Sequence, residues 1–140
     1  MTKAEIIRLH GLGPDSDEAV KALALLVGAK RIGRVTYNGD VWDMPIGWRS
    51  QGATITGALL RCVLTDPTSV VAREREVNSE HRYSLVISSR HGEMPAYVAV
   101  ASVCYRGAGV GVAGLVSNNT YWSLAWAIEW MIEDKKERAQ

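Results

Sequence analysis

The segment TYWSLAWAIEWMIEDKK, residues 120–136, restricts the possible folds more than any other part of the chain. At about 100° per residue, Leu124, Ala125, Ile128, Met131 and Ile132 form one apolar face of a helix. Trp122, Trp126 and Trp130, four apart, form a second, with Glu129 between the two. A helix laid once on a sheet needs one stripe, so two stripes predict a helix covered on two sides. In a chain of 140 residues the second neighbour is either another subunit or another part of the same chain, and both remain open. With Ser117, Asn118 or Asn119 as its cap, the helix is expected from about Asn119 to Lys136.

Upstream, RIGRVTY and DVWDMPIGW flank Asn38-Gly39, a pair suited to the positive φ angles of a tight hairpin turn. Pro45 makes the second arm an edge strand or ends it early. RYSLVISSR and PAYVAVASVCYR, rich in β-branched and aromatic residues, read as a second hairpin. Thr2 with Glu5 opens a first helix, and Asp15 with Glu18 a second that Gly28 ends. ATITGALLRCVLTD reads as a third helix stopping at Pro67, and SVVAREREV reads either as a helix begun by Asp66-Pro67 or as a strand, with the strand favoured. The expected fold is α+β: an antiparallel hairpin sheet flanked by helices, with a two-helix N-terminus and one long C-terminal helix. No repeat or linker divides residues 1–140, so one domain is expected.

The glycines of CYRGAGVGVAG spell G-x-G-x-x-G at Gly109, Gly111 and Gly114. A dinucleotide fingerprint needs these glycines to open a helix and an acid on a later parallel strand. The helix caps come several residues too late, and the rest of the chain reads as one helix, so the fingerprint is rejected. Two other readings stay open. One is a bend packed on the last helix. The other is an anion cradle, with Arg106 and the amides of Gly107, Gly109 and Gly111 on phosphates and Tyr105 stacking on a base. Trp48 is a second stacking candidate, and Arg73, Arg75 and Arg49 are candidates to complete the charge.

Catalytic signals are sparse. His81 and His91 flank one strand and are the acid–base candidates of a small nucleotide-processing hydrolase. His10 reads as a solvated or capping residue. Cys62 and Cys104 match no metal spacing and read as buried thiols. No cofactor or metal is called for, and enzyme activity is not the favoured reading. A net charge of +1 argues against bulk nucleic-acid binding. No apolar run suits a signal peptide or membrane span, so a cytoplasmic protein is expected.

The single short domain, tryptophan-rich elements, ATITGALLRCVLTD as a mid-chain helix and NNTYWSLAWAIEWMI as a terminal helix closing a hairpin sheet resemble small accessory α/β proteins of bacteriophages. Within that group the chain is similar to the Thoeris anti-defence proteins. The resemblance implies an oligomeric sponge that sequesters cyclic ADP-ribose-type or cyclic oligonucleotide immune signals without cleaving them. It rests on size and element order, so it transfers no site residue. The expectation is therefore a homo-oligomer that binds a small, anionic, nucleotide-like ligand. The alternatives are the hydrolase and a protein–protein inhibitor using the tryptophan stripe.

Overall fold

Two short capped helices begin the chain in the computed structural model, which describes residues 1–35, 39–81, 83–90, 98–105, 110–117 and 119–138. Helix α1 (Lys3–Leu12) starts where Thr2 Oγ1 accepts from the Glu5 amide at 3.1 Å, and it ends at Gly13, whose φ is +85°. Helix α2 (Asp17–Leu26) is capped by the Ser16 hydroxyl on the Ala19 amide, rather than by Asp15.

Strands β1 (Lys30–Val35), β2 (Gly39–Asp43) and β3 (Thr54–Thr56) form one antiparallel sheet in that order. Gly39 takes a φ of +76°, as the Asn-Gly pair requires, but it already pairs with Val35 in the ladder. The connection therefore spans residues 36–38, which lie outside the described residues. Residues Thr54–Thr56 are a short strand, and the third helix, α3, runs only over Gly57–Leu64.

Of the two readings of residues 69–77 the structure takes the helix, α4 (Pro67–His81), rather than the favoured strand. Its start explains the difference. Asp66 Oδ2 accepts from the Ser69 amide at 3.0 Å and from the Ser69 hydroxyl at 2.9 Å, and Pro67 occupies the first turn. Val70 and Val77, two turns apart, are buried and anchor its inner face. Strands β4 (Tyr83–Arg90), β5 (Val98–Tyr105) and β6 (Val110–Ser117) form a second antiparallel sheet in chain order. Helix α5 (Thr120–Arg138) closes the chain. The result is the expected α+β architecture, with one strand more in each hairpin region than the sequence suggested.

Helix α5 is the centre of the packing. It touches α1, α4 and all three strands of the second sheet, and every residue from Trp122 to Met131 is buried. Trp122 and Trp126 are 0% exposed and Trp130 6%, with the rings of Trp122 and Trp126 edge to face at 5.7 Å. The two-stripe pattern thus reports a helix covered on two sides by its own chain. The expectation that Trp122, Trp126 and Trp130 form an oligomer interface is corrected, because almost no indole surface is left for a second copy or a host partner. Three polar residues of this helix, Ser123, Glu129 and Asp134, are buried as well. Asp134 receives Lys3 at 2.8 Å and Arg138 at 3.1 Å. Lys3 Nζ also sits 5.0 Å from the Trp130 ring centre.

Candidate functional site

Pro45 starts a tight turn over Ile46–Trp48, in which the Trp48 amide donates to the Pro45 carbonyl at 2.9 Å. Arg49 Nε donates to the Met44 carbonyl at 2.9 Å and ties the turn back onto its own entry. Arg49 thus has a local role. Facing this turn is one stripe of α4 made by Ser69, Ala72, Arg73 and Glu76, at helical spacing. Together with Val27 they line a cleft of about 460 Å³. Ile46 stands at its rim with 83% exposure. Trp48, only 4% exposed, forms part of the wall. An indole that buried has almost no open face for a base, so the stacking role expected of Trp48 becomes one of shaping the pocket.

Arg73 holds the chemistry of the cleft. Its Nε and Nη2 both donate to Glu129 Oε1 on α5, at 3.2 Å and 2.7 Å. Glu129 is 5% exposed, and burial raises its pKa above the usual carboxylate range while the Arg73 charge opposes the rise. Nη1 of Arg73 makes no hydrogen bond among the described residues. One edge of the guanidinium is thus fixed and desolvated on Glu129, and its remaining donors are uncommitted among the described residues. Glu76 adds a carboxylate to the same wall, so the cleft is mixed in charge: apolar sides, one guanidinium edge and one carboxylate.

Arg75 does not join Arg73. On a helix they are about 200° apart, and Arg75 lines a second cleft of about 380 Å³ with Pro67, Thr68, Val71 and Ala72. Arg73 and Arg75 therefore cannot both complete the charge of one site, because the segment is helical. Tyr105 ends β5 opposite Tyr83, and Gly111 lies inside the β5–β6 ladder opposite Val103. Gly111 and Gly114 are therefore residues of a third strand, not of a bend packed on the last helix. Arg106, Gly107, Gly109 and His91 lie outside the described residues. His81 is the last residue of α4.

The histidine that the structure does engage is His10. Its Nε2 is 2.9 Å from Ser123 Oγ, which is 2.6 Å from Ser117 Oγ, and Trp122 Nε1 donates to the His10 carbonyl at 3.0 Å. A His–Ser pair at this distance has the spacing of a base and nucleophile. Ser123 is 0% exposed and His10 4%, however, so no substrate reaches them. The cluster instead pins the end of α1 to the start of α5, and the expectation that His10 is solvated is corrected. Burial lowers its pKa from 6.5 to about 4. The unfolded chain therefore binds the proton first, and stability is lost as pH falls from about 6.5 towards 4. We expect up to about 3 kcal/mol of loss from this group. Urea titrations across that range check it, and His10→Gln should flatten the slope.

Cys62 is exposed on α3, contrary to a buried thiol, and no group of three His, Cys, Asp or Glu side chains is placed to hold a metal among the described residues. Among the same residues no helix is long and apolar enough to cross a membrane. Glu129 and Glu76 were missed in the sequence as parts of a site. The available signal was Glu129 itself, an acid between two apolar stripes, which requires a cation from another element. Comparison with protein-family models, with curated proteins and with solved structures found no match.

Proposed function

We propose that the protein is a non-enzymatic binder of a small, anionic, nucleotide-like ligand, held in the cleft between the Pro45–Trp48 turn and α4. The observation that carries this reading is the Arg73 guanidinium, anchored on buried Glu129 with donors to spare, beside apolar walls from Trp48, Val27 and Ala72. A planar apolar group fits such walls, and a phosphate or carboxylate oxygen suits the uncommitted guanidinium edge. The ligands to try first are those the phage resemblance implies, cyclic dinucleotides, cyclic trinucleotides and cyclic ADP-ribose isomers, with the protein acting as a cytoplasmic sponge. An oligomer, in this reading, uses a surface other than the tryptophan stripe.

Titration calorimetry with these ligands, followed by their chromatographic recovery, tests the proposal. Binding heat with intact ligand is expected. No heat at ligand concentrations well above micromolar, or conversion of the ligand, sinks it. Glu76→Gln should tighten anion binding about threefold, because it removes a like charge beside the guanidinium at a half-solvated site. An unchanged or weakened affinity in that variant places the anion elsewhere.

A further inference from the structure

Strand β1 reads KRIGRV, and its basic residues look dispersed, because a spacing of three puts strand residues on opposite faces. The ladder changes that. Arg31 pairs with Trp42 and Gly33 with Val41, so Ile32 is an extra residue, a bulge. Arg34 then pairs with Asp40. Trp42 and Asp40 are alternate residues of β2 and share a face, so Arg31 and Arg34 share it too. Together with Ile32, Gly33 and Asp40 they line a cleft of about 440 Å³ that has no residue in common with the Trp48 cleft.

Four further properties describe this edge. Lys30 through Arg34 are all exposed, so β1 overhangs the core. Among the described strands β1 pairs only with β2, which leaves its outer row of backbone groups free of strand partners. Nothing lies within 4 Å of where a Cβ on Gly33 would sit, and Ile32 is 58% exposed. The charge is unbalanced as well. Asp40 is already shared between Lys21 at 3.6 Å and Arg31 at 3.7 Å, while Lys30 and Arg34 make no ion pair among the described residues.

We propose that β1 is a docking edge for an acidic, extended peptide segment of another protein, added as a strand beside it, with carboxylates meeting Arg31 and Arg34 and an apolar side chain on Ile32. The cations select the occupant. A second copy of β1 would bring like charges together, whereas an acidic strand neutralises them. β2 shows the matching pattern on the other side of β1, with Asp40 opposite Arg34 and Asp43 opposite Lys30. The exposed isoleucine and free backbone edge favour a peptide over a nucleic acid, which would use the charge alone.

Fluorescence anisotropy with a labelled heptapeptide of alternating valine and glutamate tests this on the full chain. Binding is expected at low salt and should weaken at least about tenfold in the Arg31→Glu/Arg34→Glu variant. It should also be lost when alternate amides of the peptide are N-methylated. A valine–lysine peptide should not bind. These last two arms use the unaltered protein and decide the matter even if the variant misfolds. The proposal is overturned by no binding at millimolar peptide, by equal binding of the N-methylated or lysine peptide, or by an oligonucleotide that outcompetes the acidic peptide. Self-association that the charge reversal abolishes also overturns it.

Discussion

Replacing Arg73 by methionine should destabilise the protein by about 3–5 kcal/mol, because it leaves Glu129 buried without its cation. That is a large part of the roughly 5–15 kcal/mol that holds a typical domain together. The pH dependence has a definite sign. Glu129 has a raised folded pKa, so its protonated form suits the folded state, and stability from this group is present below the ordinary carboxylate pKa and falls as pH rises. Without Arg73 that folded pKa rises further. The deficit of Arg73→Met should thus be small near pH 4 and large at pH 7. The double variant Arg73→Met/Glu129→Met should recover most of the loss, since an apolar pair of similar volume can replace a buried ion pair. Urea midpoints for the unaltered protein and the two variants at both pH values measure the effect. A double variant no more stable than the single one contradicts the pairing.

Truncating Trp122 or Trp126 to alanine should cost about 3–5 kcal/mol each, the usual cost of emptying a fully buried aromatic site. The phenylalanine variants separate the two indoles. Trp122 Nε1 donates to the His10 carbonyl at 3.0 Å, whereas Trp126 Nε1 is buried with no hydrogen-bond partner among the described residues. Phenylalanine removes a made bond at Trp122 and an unmet donor at Trp126. Trp122→Phe should therefore be the less stable by about 1 kcal/mol. Thermal or urea unfolding checks the order, and the reverse order would show that Trp122 does not clasp α1 to α5.

These two effects show what was legible in the sequence and what was not. The double stripe on residues 120–136 announced a helix enclosed on two sides. Which neighbours enclose it depends on α1 and α4, distant in sequence, and periodicity holds no such information. The Asn38-Gly39 signal located the first hairpin because a positive φ is a local demand, and Gly39 takes it. Residues 68–78 misled for an equally local reason. Val70-Val71 and the alternating charges of REREV imitate a strand, yet the Asp66-Pro67 start and the two-turn spacing of Val70 and Val77 decide for a helix. Gly111 and Gly114 misled in the opposite way, since glycine is depleted in strands but here lies inside one. The candidate site was half visible. Trp48 and Arg73 were identifiable as residue types, but Arg73 meets Glu129 across 56 residues, and a bulge that no pattern announces aligns Arg31 with Arg34.

A native mass spectrum of the protein purified from cells and then incubated with the cyclic nucleotide panel bears most directly on ligand binding. A protein that sequesters such a molecule shows the chain mass raised by one intact, phosphorus-bearing ligand, which denaturation releases unchanged. Bare chain mass after incubation with every member of the panel, or release of a cleaved product, contradicts the proposed function.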